Sequence, residues 1–166
     1  MIESEYLKDT PRNVRKLTAI IPLKRLETEN FGHLLRLSRI RKYEDGEVII
    51  REGDTDPWVY FLLSGRVKVR KGKTDIGTID KTGVIFGEMR ILDGMPRSAS
   101  VYAKGMTTCL VVDTVAARTR LTPDERTGML LLLYRIFTEN TSIRLLRVNN
   151  ELINIQKKLR NVKRDA

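Results

Sequence analysis

The chain has 166 residues, with one cysteine, Cys109, and one histidine, His33. A single cysteine excludes an internal disulfide framework and suits a reducing cytoplasm. With one histidine beside it there is no His/Cys cluster for zinc. Nothing in the sequence pairs a nucleophile with a base or sets two carboxylates for acid–base work, so catalysis is not expected. Long hydrophobic runs are also missing. Met129-Leu130-Leu131-Leu132-Leu133 falls far short of the about 20 residues that a membrane-spanning helix needs, and no membrane association is expected. Glu3 and Glu5 stand where a secretory leader would carry basic and then apolar residues. Aromatics make up 6% of the chain, and no aromatic ladder accompanies the basic residues, as a single-strand stacking platform would require.

Positive charge is plentiful: the net charge is +10 and the pI about 9.9. The charge is spread over Arg12, Arg15 and Lys16, over Arg36, Arg39, Arg41 and Lys42, and over Lys157, Lys158, Arg160, Lys163 and Arg164. Such dispersal reads as solvated faces, although basic ends can neutralise phosphates without regard to sequence. Gly72-Lys73-Thr74 imitates the end of a P-loop, but it lacks the preceding glycine spacing and the strand-to-helix context, and reads as a hairpin turn. His33 has no partner in sequence and reads as structural, and Cys109 as a buried small hydrophobe.

Hydrophobic periodicity divides the chain into three. Residues 1–38, punctuated by Pro11 and Pro22, form an N-terminal helical arm in which Phe31, Leu34, Leu35 and Leu37 give an amphipathic helix over Phe31–Ile40. From Val48 the period becomes two: Val48 and Ile50, then Val59, Phe61 and Leu63, then Val67 and Val69 beyond a Ser64-Gly65 turn. Ile76 and Ile79 come next, punctuated by Gly72 and Gly77, and alternation resumes over Val101–Val112. The expected fold is therefore mainly β with flanking helices, a compact antiparallel β-barrel of jelly-roll type over 39–121. Thr122-Pro123-Asp124-Glu125 is a helix start with an N-cap hydroxyl, a first-turn proline and a glutamate three residues on. The long helix it opens, within 122–166, carries Leu145, Val148, Leu152, Ile155, Leu159 and Val162 at alternating spacings of three and four, a coiled-coil seam. Ile136, Phe137 and Ile143 lie off the seam and are expected to pack on the barrel.

One segment carries chemistry. Phe86-Gly87-Glu88-Met89-Arg90 opens a helical turn, and Pro96-Arg97-Ser98-Ala99 lies directly behind it. Backbone N–H groups at Gly87 and Glu88 would be free donors at a helix start, where the dipole favours an anion. Gly87 permits close approach, Arg97 offers a donor fork that matches two phosphate oxygens, and the carboxylate of Glu88 suits a sugar hydroxyl. A small anion that also carries hydroxyls fits this set.

The stretch over 84–101 resembles the phosphate-binding cassette of the cyclic nucleotide-binding domain family. The resemblance extends over about Ile40–Asn150 and includes Gly46-Glu47-Val48-Ile49, Arg51-Glu52-Gly53-Asp54 and Tyr60-Phe61-Leu62-Leu63-Ser64-Gly65-Arg66-Val67. It implies that Gly87 and Glu88 present backbone donors to a cyclic phosphate. It further implies that Glu88 binds the ribose 2′-hydroxyl, Arg97 the exocyclic oxygens, and Ser98 the region between phosphate and base. Phe86, Met89 and Ala99 belong to the same cassette. Arg90 stands where the family usually has Ala or Gly, either adding charge or crowding the pocket, and Val84 replaces a commonly acidic residue. Asn149 and Asn150 fall near the position from which a partner's long helix covers the base in transcription factors of the family. They could address a purine edge or serve as a polar break in the seam. The resemblance implies a non-catalytic, cytoplasmic sensor of cyclic AMP or cyclic GMP with no further cofactor. Such a sensor is expected to be a homodimer through the C-terminal helix and to signal to another protein in trans. No recognition-helix pair succeeds the long helix, so sequence-specific DNA binding is not expected. A non-binding dimeric scaffold of the same fold and a nonspecific polyanion binder are the alternatives.

Overall fold

A computed structural model describes residues 1–7, 10, 11, 28–90 and 94–164, with side chains omitted at 28–31, 159 and 162–164. Much of the expected arm, including Arg12, Arg15, Lys16 and Pro22, therefore lies outside the described residues, as do 91–93 of the cassette. The strands are β1 (Ile2–Glu3), β2 (Ser38–Tyr43), β3 (Val48–Ile50), β4 (Trp58–Lys71), β5 (Thr74–Ile79), β6 (Ile85–Phe86) and β7 (Ser100–Asp113). The helices are α1 (Thr28–Arg36), α2 (Ala117–Arg120) and α3 (Pro123–Arg164).

All pairings are antiparallel, in the order β1-β2-β7-β4-β5, with β3 added on β7 and β6 on β4. The long strands β4 and β7 form the spine. Their register shifts between Leu62 and Ser64 and again between Ser64 and Arg66. These bulges bend the pair, so that its two ends take different neighbours and the sheet curls into a barrel. Ser64-Gly65 was expected to be a turn, but it is this bulge within a continuous β4. Gly65 sits at φ 87°, and a Cβ there would run into the Met106 carbonyl and come within 2.8 Å of the Thr107 Cα. Gly77 likewise pairs inside β5, opposite Val69, and only Gly72 turns the hairpin.

The strands bury both faces where they cross. Val59 and Phe61 of β4, with Leu110 and Val112 of β7, face Leu34, Leu35, Met129, Leu133 and Phe137 of the helices. The alternate residues Tyr60, Leu62, Cys109 and Val111 face the barrel interior with Tyr43, Ile50, Phe86 and Val101. Two-sided burial explains why Val59–Leu63 and Cys109–Val112 are continuously apolar rather than alternating. Burial pushes the Cys109 thiol up to about 12, so it is a neutral hydrophobe as expected.

The amphipathic helix ends at Arg36, earlier than expected, because Ser38–Tyr43 is drawn into the sheet opposite Thr107–Val112. The Ser38 hydroxyl donates to the Leu34 carbonyl at 2.7 Å and closes the helix end. Arg41, expected to be solvated, is mostly buried on β2 and stacks over the Trp58 ring at 4.3 Å. At the N-terminus, Tyr6 lies between the guanidinium groups of Arg39 and Arg120, at 3.9 and 3.7 Å, and donates to Asp113 at 3.0 Å.

The start of α3 forms as its sequence dictates. Thr122 N–H donates to Glu125 Oε2 at 2.8 Å, and Glu125 N–H donates to Thr122 Oγ1 at 3.3 Å, a reciprocal capping box. The same carboxylate accepts from Arg36 Nη2 at 2.6 Å and lies 3.2 Å from His33 Nε2, joining α1 to α3. His33 thus has a partner that local sequence could not reveal. Along α3, Ile136 and Phe137 are buried as expected, but Ile143 is 64% exposed. From Phe137 to Arg164 the helix runs on for about 40 Å at 1.5 Å per residue, and Leu145, Val148, Leu152 and Ile155 are all more than half exposed. Among the described residues no helix is long and apolar enough to cross a membrane.

The backbone hydrogen bond from Thr122, and then Arg36, hold the Glu125 carboxyl near 2, well below its ordinary 4.5. A depressed carboxyl stabilises the fold above its unfolded-state value and loses that contribution as pH falls through the folded one. Glu125→Gln keeps the cap geometry and removes the charge. The variant should therefore melt below the parent at neutral pH, and the gap should close between about pH 4.5 and pH 2 in thermal melts followed by circular dichroism.

Candidate ligand-binding site

A cavity of about 200 Å³ opens between the barrel and the cassette. Ile50, Val69, Ile76, Ile79, Phe86 and Val101 make its apolar wall, and Gly87 to Arg90, Arg97 to Ala99 and Arg144 make its polar side. Phe86 is fixed by stacking on Tyr60 at 5.2 Å, and Tyr60 donates to the Ile49 carbonyl at 3.3 Å.

Arg97 is 4% exposed. Its Nε donates to Asp56 Oδ2 at 3.0 Å and its Nη2 to Oδ1 at 2.5 Å, a bidentate pair. Nη2 also donates to the carbonyls of Trp58, at 2.6 Å, and Asp56, at 3.1 Å, and Nη1 donates to the Gly87 carbonyl. Of the five guanidinium hydrogens, one on Nη1 is left uncommitted by these acceptors. The Arg97 backbone is pinned as well, its N–H donating to Asp54 O at 2.8 Å while its carbonyl accepts from Gly53 N–H at 2.9 Å. Arg51-Glu52-Gly53-Asp54 therefore does more than turn a hairpin. It carries the rail on which Arg97 is mounted, and Glu52 N–H ties the rail to Ser100 Oγ at 2.9 Å.

Glu88 is also 4% exposed, yet it does not pair with Arg97. Its Oε1 accepts from Arg144 Nη1 of α3 at 2.9 Å, and Arg144 Nη2 donates to the Ile85 carbonyl. Two buried charges of opposite sign thus face one cavity, each held by a different neighbour. Gly87 has φ 78°, and among the described residues the N–H groups of Gly87 and Glu88 have no hydrogen-bond partner. Helical backbone begins at Met89, which places those donors at its start.

The remaining candidates divide. Met89 and Ser98 are exposed at the mouth, the Ser98 hydroxyl lying 3.7 Å from Met89 Sδ, and Ala99 is half-buried. Arg90 borders the cavity but extends its guanidinium to the carbonyls of Thr55, at 3.4 Å, and Gly94. Asn149 and Asn150 are exposed on α3 and do not line the cavity of this chain, whereas Arg144, five residues before Asn149, does. Sequence reasoning missed Asp56 and Arg144. Asp56 sits in an acidic loop with no distinguishing spacing, and Arg144 is one of many basic residues on a long helix.

An antiparallel barrel interrupted by a glycine-led turn, with a long helix reaching back to it, frames the cavity. Residues 40–121 match the family model of the cyclic nucleotide-binding domain, and through them the chain belongs to that family. The chain is 36% identical over 93 residues to the cAMP-dependent protein kinase type II regulatory subunit of Drosophila melanogaster, covering 56% of this chain and 24% of that protein. It is 36% identical over 73 residues to the cGMP-dependent protein kinase of Toxoplasma gondii, covering 44% and 7%. The chain thus spans a quarter or less of the length of these relatives. A solved cyclic nucleotide-binding domain from Methylobacillus flagellatus shares the fold, with TM-score 0.64, 22% identity and coverage of 83% and 85%.

Gly87 tests how tightly the cradle is built. A Cβ there would come within 2.9 Å of both Arg97 Nη1 and Ile50 Cδ1, at a backbone angle that side chains resist. Gly87→Ala should lose about 1–2 kcal/mol from the positive φ alone, and more from crowding, read as a lower denaturation midpoint in urea.

Proposed function

We propose that this chain is a non-catalytic regulatory domain that binds a 3′,5′-cyclic purine nucleotide and relays its presence to a partner protein. In this reading 39–121 is the sensing barrel, 122–166 the output and dimerisation helix, and 1–38 a supporting arm. The observation that carries it is the separate mounting of Glu88 and Arg97 on one cavity. The free Nη1 hydrogen of Arg97 and the N–H groups of Gly87 and Glu88 suit a singly charged phosphodiester. Glu88, with Oε1 on Arg144, keeps Oε2 for a ribose 2′-hydroxyl, so one carboxylate can hold both the ligand and the long helix. Ile76 and Met89, each more than half exposed at the mouth, offer apolar cover for a purine, and Ser98 a hydroxyl for its edge. No other cofactor is needed, and the setting expected is the cytoplasm. Relatives named for cAMP and for cGMP support the ligand class and leave either base open.

Arg90 speaks for a working pocket over a non-binding scaffold, because its guanidinium is spent on Thr55 and Gly94. Calorimetric titration should show micromolar or tighter binding of cyclic AMP or cyclic GMP and much weaker binding of linear AMP and GMP. Glu88→Gln should shrink the preference for the cyclic nucleotide over its 2′-deoxy analogue. Absence of heat with either cyclic purine at millimolar concentration overturns the reading.

The case for a second copy comes from α3. Leu145, Val148, Leu152 and Ile155 are 59%, 58%, 52% and 55% exposed, and burying each such side chain is worth about 1.5–3 kcal/mol. The seam positions Leu159 and Val162 have side chains outside the described residues. Light scattering should give a dimer for the parent. The double substitution Leu152→Asp and Ile155→Asp should give a monomer with an unchanged barrel melt.

A further inference from the structure

A second and larger cleft, of about 420 Å³, lies where the cassette meets α2 and the first turns of α3. Arg90, Arg118 and Arg126 stand around it, over a floor that includes Val115, Met129 and Leu130. Among the described residues no carboxylate lines it, and neither Arg118 nor Arg126 has an ion pair. The Nε of Arg126 is buried without a hydrogen-bond partner. Elsewhere the arginines that join helices and cassette have ion pairs, Arg36 with Glu125 and Arg144 with Glu88, although the Arg36 Nε is likewise buried without a partner. Two arginines without an ion pair, Arg118 exposed and Arg126 half-buried with a donor unanswered, beside an apolar floor make a place that an anion stabilises.

Those groups select the chemistry of the occupant. Planar guanidinium forks match carboxylates in pairs, and the floor takes an aliphatic side chain. A nucleic acid suits the cleft poorly, because among the described residues no aromatic side chain lines it for a base to stack on. Arg90 borders both this cleft and the cassette cavity, so the two places share one residue, and a shift of Arg90 at one alters the wall of the other. We propose that the cleft is the docking site for an acidic, leucine-bearing segment of a partner protein, and that it is the surface on which nucleotide occupancy is read out. The readout rests on the regulatory function proposed for the cassette, whereas docking itself does not.

The probe is a fluorescein-labelled peptide of repeating Asp-Glu-Leu, followed by anisotropy at about 0.15 M salt, where exposed charges are screened. The double substitution Arg118→Glu and Arg126→Glu should weaken binding about tenfold or more, as losing charge-assisted hydrogen bonds requires. The charge-matched Lys157→Glu and Lys158→Glu in the helix tail should change it less than about twofold. Should the first variant fail to melt cooperatively, Arg118→Gln with Arg126→Gln replaces it under the same criterion. Saturating cyclic AMP should shift the peptide affinity of the parent. No peptide binding, equal loss in both charge-reversal variants, or equal competition by duplex DNA or by a peptide with serine in place of leucine overturns docking. Unchanged affinity with nucleotide bound by calorimetry overturns the readout. A peptide that binds through these arginines while no nucleotide heat is seen leaves docking standing and removes the regulatory reading instead.

Discussion

The bidentate pair between Asp56 and Arg97 is the tie on which the rest of the site depends. It draws the loop before β4, the carbonyl at the start of β4 and the turn at Gly87 onto one planar cation, while the Arg97 backbone pairs with the turn at 53–54. A guanidinium can do this because its donors are rigid and point in fixed directions, where an ammonium would supply charge without geometry. The pair also makes a nearly buried arginine tolerable, since a buried charge without such partners would be prohibitively costly. The residue that would meet a phosphate is therefore also a structural keystone, and its loss costs fold stability as well as affinity.

Two features of the cassette depend on that anchoring. Gly87 has room for no side chain, because Arg97 and Ile50 occupy the place where a Cβ would lie. Glu88 is turned from Arg97 toward Arg144, so that the two charges address the cavity without cancelling one another. Among the described residues Arg144 is the charged group that joins the long helix to the cassette, through Glu88 and the Ile85 carbonyl. Such a contact can be strengthened or broken with little rearrangement of the core, which suits a population shift between two positions of the helix.

At its own start the helix is held differently. The capping box and the Arg36 contact at Glu125 fasten α3 to α1, and Met129, Leu132, Leu133, Ile136 and Phe137 fasten it to the sheet. Beyond Phe137 the apolar residues point outward. One element is thus core in its first four turns and carries exposed apolar residues further on, with Arg144 reaching back from that second part to Glu88.

Local patterns alone were enough for the antiparallel barrel, the cap at Thr122, the long helix and the frame of the cassette. Period two, the N-cap spacing and the Gly-Glu and Pro-Arg-Ser-Ala runs are all written within a few residues. The Ser64-Gly65 bulge reads as a turn in sequence because a glycine at positive φ serves both, and only the Met106–Thr107 strand passing behind it distinguishes them. The early end of the amphipathic helix escaped for a similar reason: Ser38–Tyr43 becomes a strand through its ladder with β7, some 70 residues further on. Asp56, Arg144 and the Glu125 contact to His33 and Arg36 join residues 41, 56 and 89–92 positions apart. Spacing along the chain is enough to set the elements, their caps and the glycine-led turn of the cassette. Which charges meet was decided only by the tertiary structure, because a partner for a buried ion is chosen by distance in space, and an arginine on a helix surface looks the same in sequence whether or not it reaches one.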